Sequence, residues 1–218
     1  AQANPEASSW AFPGGGSRYA CDGGRVEEVD ASGRTHALEG LAADDGAPIL
    51  FAVDPDDPDR FAVATARARV VVWQAGRVIQ RFDTASQQAT NLSLRGDRLS
   101  AVRSDGALVA WEVSTGRPIA QIRAPAGVSA WDAHGGLLVV DREGVRRWSI
   151  PGGGRPAVIG MTAGVSSVGL SPDGRRVAVS LGDGRVAVRD AESGVSITTL
   201  HAHEGVAKDV AFSPDGAL

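Results

Sequence analysis

The chain has 218 residues, 43% hydrophobic and 22% charged, with a formal net charge of −4. That balance suits a globular chain that buries a core, and its scattered arginines lack the clustered basic patch of a nucleic-acid binder. There is no run of about 18 apolar residues to cross a membrane. The single cysteine, Cys21, excludes an intrachain disulfide and a cysteine-rich metal site.

In chain order, short apolar strands alternate with glycine-bearing turns. The first unit, at 8–40, sets Trp10 and Phe12 ahead of Pro13-Gly14-Gly15-Gly16. It continues through an Asp22-Gly23-Gly24 turn, the strand Val26-Glu27-Glu28-Val29-Asp30 and a Ser32-Gly33 turn. The second, at 48–83, sets Phe51 and Val53 ahead of the acidic run Asp54-Pro55-Asp56-Asp57-Pro58-Asp59 and later carries Val70-Val71-Val72-Trp73. The third, at 89–123, has Leu92 and Leu94, Arg95-Gly96-Asp97, Asp105-Gly106, Leu108-Val109-Ala110-Trp111, Thr115-Gly116 and a closing strand ending at Ile122. The fourth, at 127–160, pairs Trp131 with Ala133 ahead of His134-Gly135-Gly136, then has Glu143-Gly144 and Val145-Arg146-Arg147-Trp148. The fifth, at 164–201, opens with Val168-Gly169-Leu170-Ser171-Pro172-Asp173-Gly174. It adds Asp183-Gly184, Val186-Ala187-Val188-Arg189, Ser193-Gly194 and a last strand ending at Leu200. A sixth unit, at 203–218, repeats the opening as Val210-Ala211-Phe212-Ser213-Pro214-Asp215-Gly216.

The copies recur every 40 residues or so, and each reads as four short strands with no helical period. Pro presets φ and Gly accepts positive φ, so the chain reverses at each Pro-Asp-Gly turn. Four strands per unit make one blade of a β-propeller, and a blade must stack on neighbours to cover its two faces. The expected fold is therefore all-β: a propeller of four-stranded antiparallel blades, with five full blades and the start of a sixth. The chain opens at a first strand, around 8–12, and stops inside the sixth unit, so it is expected to be a fragment of a six- to eight-bladed propeller. Trp10 and Trp131 fall in first strands and Trp73, Trp111 and Trp148 in third strands, so all five are expected to pack between blades.

These motifs resemble the WD-repeat family, whose blade joins a Gly-His, a Ser-Pro-Asp-Gly turn, an Asp-Gly turn and a closing Trp-Asp. His203 stands in the Gly-His slot with Ala202 replacing the glycine; Arg189-Asp190 and Trp111-Glu112 are near misses to Trp-Asp; Met161 stands where the fifth blade would place its histidine. The last two blades match best and the others are degenerate. The resemblance assigns structural repeat roles to Trp73, Trp111, Trp148, Asp105, Asp183, His203, Asp173, Gly174, Asp215 and Gly216. Quinoprotein-type, lactonase-like and TolB-like propellers share the Asp-Gly and Thr-Gly turns and stay open as alternatives. Arginine in place of lysine, with Lys208 the one lysine, points to a bacterial gene rich in GC.

Candidate chemistry is sparse. The run from Asp54 to Asp59 lacks the chelating Glu and glycine-allowed loop of a calcium site and reads as a solvated acidic turn. His201 and His203 share a strand face at a spacing zinc can use, without a third ligand nearby. No nucleophile elbow, His-Glu-x-x-His helix or phosphate-binding loop is present, and Glu27 and Glu28 point to opposite faces of one strand. The expected function is a non-catalytic interaction scaffold or sensor, part of a larger protein, with no cofactor. Its partners would be other proteins or domains of the same polypeptide, with no nucleic acid and no membrane. Ala1 is not an initiator and no leader segment is present, so a cropped cytoplasmic chain is expected. A central-channel enzyme or cofactor-binding propeller is the alternative.

Overall fold

Strands buried on both faces read as unbroken apolar runs, and the runs around Val63, Val71 and Val109 have that character. A computed structural model describes residues 18–22, 25–29, 32, 34–42, 44–123, 128–141, 144–150, 156–160, 165–171, 173–201, 204–207, 210, 212, 213 and 216. Five antiparallel sheets follow one another along the chain. The first contains β1 (Arg18–Asp22), β2 (Arg25–Val29) and β3 (Thr35–Ala37); the strand expected at 8–12 lies outside the described residues. The second contains β4 (Pro48–Asp54), β5 (Asp57–Thr65), β6 (Arg69–Gln74) and β7 (Arg77–Asp83). The third contains β8 (Ala89–Arg95), β9 (Arg98–Arg103), β10 (Ala107–Glu112) and β11 (Pro118–Arg123). The fourth contains β12 (Val128–Trp131), β13 (Gly136–Asp141), β14 (Gly144–Ser149) and β15 (Ala157–Gly160). The fifth contains β16 (Val165–Leu170), β17 (Arg176–Leu181), β18 (Arg185–Asp190) and β19 (Ser196–His201). Each sheet is a meander whose strands pair in sequence order.

The period-2 alternation of a strand sends successive residues to different neighbouring sheets. Phe61, Val63, Val71 and Trp73 pack towards the first sheet, with Val26. Ala62, Ala64, Val70 and Val72, from the same two strands, pack towards Leu99, Ala101, Val109 and Trp111 of the third. Val102, Leu108 and Ala110 then turn to Trp131, Leu137 and Val139 of the fourth, and Leu138 and Val145 to Val177 and Val179 of the fifth. Ala178, Val186 and Val188 continue onto Ala207 and Phe212. Every sheet after the first thus shares an apolar core with the sheet on either side or, for the fifth, with the segment that follows it. The first strands β4, β8, β12 and β16 approach one another in turn.

Strand register fixes the repeat phase. Val53, Phe61 and Trp73 lie side by side across β4, β5 and β6. The matching rows are Leu94, Leu99 and Trp111; Trp131, Leu137 and Trp148; and Leu170, Val177 and Arg189. The sequence pairing of Trp131 with Ala133 is therefore shifted by two. Ser129 and Trp131 occupy the places of Leu92 and Leu94, and Ala133 lies in the turn after the strand. Ser129 escapes an apolar pattern because its buried hydroxyl and N–H both donate to Asn91 Oδ1, at 3.0 and 2.8 Å.

Candidate protein-docking face

A four-stranded meander puts the turns between strands 1 and 2 and between strands 3 and 4 at one end of each sheet. The turns between strands 2 and 3 and the connections to the next sheet lie at the other end. These two ends differ in what their polar groups are doing.

At the first end, side chains stitch sheets together. Arg60, Arg98 and Arg176 stand at the same register of the second strand of their sheets, each directly before its buried apolar run. Each donates to the carbonyl of a turn glycine in the unit that follows: Arg60 Nη1 to Gly96 at 2.7 Å, Arg98 Nη1 to Gly135, and Arg176 Nη2 to Gly216 at 3.0 Å. Arg98 also lies 5.6 Å from the Trp131 ring centroid and Arg176 lies 5.5 Å from that of Phe212, within cation–π range. The fourth sheet has Gly136 at this register. A side chain there would meet Asp132 and Arg147, which form a half-buried pair with Nε 2.5 Å from Oδ2.

Asp54 contradicts the expectation of a solvated acidic turn. It is buried and accepts the Asp56 N–H at 3.0 Å and, from the third sheet, the Gly96 N–H at 2.7 Å. Burial pushes its carboxyl above the ordinary range, against the pull of those two N–H groups. Asp56 receives Arg95 bidentately at 2.8 and 2.9 Å. Arg95 Nη1 in turn sits against the fifth sheet, where a Cβ on Gly174 would come within 2.4 Å of it. Asp54 and Asp56 of the acidic run form a joint between sheets, because their partners Gly96 and Arg95 lie in the following unit.

The second end carries most of the described left-handed non-glycine residues; the first end has one, Ala75 at φ 47° in the turn from β6 to β7. The turn from β5 to β6 places Ala68 at φ 60°, where the corresponding turns have Gly106 at 78° and Gly184 at 84°. The connection from β7 to β8 places Ala85 and Ser86 at 56° and 63°. A left-handed non-glycine residue costs about 1–2 kcal/mol, so three on one end need surrounding structure to hold them. Thr84 does much of this, with its N–H donating to Ala68 O at 2.9 Å and its single hydroxyl proton shared between Ala68 O at 2.7 Å and Gln87 O at 2.5 Å. Gln88 Nε2 donates to Ala66 O at 3.0 Å, while the Ser104 N–H donates to Gln88 O at 2.8 Å. These bonds tie the turns of two adjacent sheets into one surface on which Ala85, Ser86, Gln88 and Ser104 are exposed.

No known protein family and no curated protein matches the sequence. Solved structures do. A chain of the "Crystal Structure of Mitotic Checkpoint Complex" superposes with a TM-score of 0.68 at 16% identity, over 92% of this chain and 78% of that one. The "Cps50 (Swd1) beta-propeller domain" of Myceliophteria thermophila superposes at 0.65 and 16% identity, over 78% of this chain and 61% of that domain. The fold is a β-propeller.

The five sheets are its blades, and the positions singled out by repeat spacing fall as follows. Trp73 is fully buried between the first and second blades, stacked on Phe61 at 5.2 Å, with its indole N–H donating to Glu39 O at 3.3 Å. Trp111 is buried between the second and third, 5.1 Å from Phe82, and Trp148 packs half-buried on the core shared by the third and fourth. Asp105 and Asp183 cap their turns by accepting the N–H of Ala107 and Arg185. Arg103 hydrogen-bonds Asp105 and holds its carboxyl down to about 2; Arg185 lowers Asp183 in the same way. Asp173 accepts the Ser171 hydroxyl and the Arg175 N–H beside Gly174, which is at φ 66°. Gly216 is at φ 81°; His203 and Asp215 lie outside the described residues, as do Trp10, Met161 and Lys208. Among the described residues no three His, Cys, Asp or Glu gather as a metal site, and no helix is long and apolar enough to cross a membrane.

Sequence reasoning missed two sets of residues. The arginines 60, 98 and 176 carried a signal, a cation before the second apolar strand in three blades. Ala68, Ala85 and Ser86 carried one only by alignment, since Ala68 replaces the glycine of an Asp-Gly turn.

Proposed function

We propose that this propeller is a non-catalytic docking module for other proteins or for domains of its own polypeptide, and that partners bind the face formed by the strand 2–3 turns and the connections between blades. The observation that carries this is the cluster of Ala68, Ala85 and Ser86, three of the four described non-glycine residues in left-handed conformations, on one face. Strain of this kind is kept where a surface must hold a set shape, and loops on a rigid scaffold are where binding residues concentrate. The opposite face supports the same choice, because Arg60, Arg95, Arg98, Arg176, Asp54 and Asp56 there are committed to joints between blades. The Arg95–Asp56 pair reaching from the third blade towards Gly174 of the fifth also favours surface docking over a ligand site in the channel. Both structural matches are at 16% identity, so WD-repeat membership rests on the Ser-Pro-Asp-Gly turns and belongs to this proposal, together with a cytoplasmic, bacterial setting and no nucleic-acid or membrane partner.

A photo-crosslinking amino acid at Ser86 or Ser104, compared with one at His134 or Glu192 on the opposite face, tests the reading in extract of the producing cells. Discrete adducts from Ser86 and Ser104 alone are expected. Adducts from His134 and Glu192 with none from Ser86 and Ser104 would reverse the assignment of faces.

A further inference from the structure

We infer that the partner segment crossing blades two and three is an acidic peptide; this rests on the docking face proposed above and adds the chemistry of its occupant. The strand 2–3 turn has the same hydrogen-bonded form in three blades, closed by the N–H of Ala68, Gly106 or Gly184. In the third and fifth blades the residue before the closing position is Asp105 or Asp183, whose carboxylate caps the turn. In the second blade it is Arg67. The capping carboxylate is given up and an exposed guanidinium stands in its place, whose hydrogen bond to the Asp44 carbonyl is a long 3.5 Å. A turn that forgoes its own cap to present a cation is one whose charge has a use elsewhere.

The cations continue beyond Arg67. Gln88 bridges the Arg67 turn to Ser104, and Ser104 Oγ donates to Gln87 Oε1 at 3.0 Å. Beyond Ser104 opens a depression of about 600 Å³, with Arg103, Gln121 and Arg123 in its lining. Arg123 is exposed at the end of β11, and Arg69 and Arg81 flank Asp45 at 3.9 and 3.7 Å. Three of these five arginines are paired with carboxylates, Arg69 and Arg81 with Asp45 and Arg103 with Asp105, which leaves Arg67 and Arg123 to face a partner. Asp45 is 1% exposed and accepts the Ala42 N–H, Asp83 accepts the Ala85 N–H, and Asp105 is held by Arg103. Asp44, Asp83 and Asp105 are exposed. Carboxylates spaced along an extended segment match the exposed Arg67 of blade two and Arg123 of blade three, since guanidinium forks bind carboxylates bidentately.

The test is fluorescence anisotropy of a labelled octaglutamate titrated with the full chain at low salt, with a labelled single-stranded oligonucleotide as comparison. Saturable octaglutamate binding is expected, weakened about tenfold by Arg67→Asp or Arg123→Gln and by added salt, as expected of charge pairing at an interface. Arg175→Glu, on the opposite face, should change it less than about twofold, because charges farther apart than a Debye length are screened. Arg67→Asp installs the residue the sibling turns use, so an unchanged melting temperature separates lost contact from lost fold. Absence of binding, indifference to both substitutions, or tighter binding of the oligonucleotide would overturn the inference. If crosslinks form at Ser86 while octaglutamate fails to bind, the peptide chemistry is wrong and the docking face stands; if the crosslinks are absent, the docking face itself fails.

Discussion

Replacing Arg98 with Met removes one joint between blades while keeping most of the side-chain stem that packs beneath it. The joint has two parts, a charge-assisted hydrogen bond from Nη1 to Gly135 O and the guanidinium over the Trp131 ring at 5.6 Å. A hydrogen bond from a charged group contributes about 1.5–3 kcal/mol, and a partly exposed cation–π contact about 0.5–1 kcal/mol. The Gly135 carbonyl also loses its partner at a partly buried site. We expect a loss of about 2–3 kcal/mol, a large part of the roughly 5–15 kcal/mol typical of a folded protein. At about 2–4 °C per kcal/mol for a chain of this size, the melting temperature should fall by roughly 5–10 °C. Urea unfolding followed by tryptophan fluorescence measures it, with Arg175→Met as the exposed control expected to stay within about 0.5 kcal/mol. A loss for Arg98→Met no larger than for the control would refute the account of that face as a set of inter-blade joints.

Trp73→Ala removes a fully buried ring stacked on Phe61 and should cost about 3–5 kcal/mol by urea unfolding, enough to leave the chain marginal at 37 °C. The double substitution Ala85→Asn, Ser86→Gly gives a two-residue turn the residues its positive φ values favour, and should raise the melting temperature by about 2–4 °C, a gain of roughly 1 kcal/mol. Asp105, Asp173, Asp183 and Asp190 all have folded-state pKa values below the ordinary one, so the stability they contribute is present above about pH 4 and is lost as pH falls below it, in the case of Asp105 towards about 2. The buried Asp54, raised by desolvation, acts in the opposite sense, and Asp105→Asn should flatten the acid limb of a melting-temperature profile against pH.

Much of the fold is legible in residue order because each blade is built from near neighbours. Trp73 and Trp111 announce third strands by closing apolar runs that are buried on both faces, Trp148 announces one by its spacing alone, and Asp105-Gly106 and Asp183-Gly184 announce the turns before two third strands. The fourth blade hides its phase, since Ser129 replaces an apolar residue and is satisfied by Asn91, 38 residues earlier. Asp54 reads as solvent-facing because the N–H that draws it inward belongs to Gly96, 42 residues later. The candidate site was the least legible part. A docking face is marked by φ at Ala68, Ala85 and Ser86 and by a lost cap at Arg67, and neither leaves a motif.

Hydrogen exchange of the full chain, alone and bound to the partner captured through Ser86, tests the docking assignment most directly. Added protection is predicted at 66–68, 84–88 and 103–106, with no change at 95–97, 132–135 and 190–193. Protection confined to the second set would place the partner on the stitched face and contradict the account.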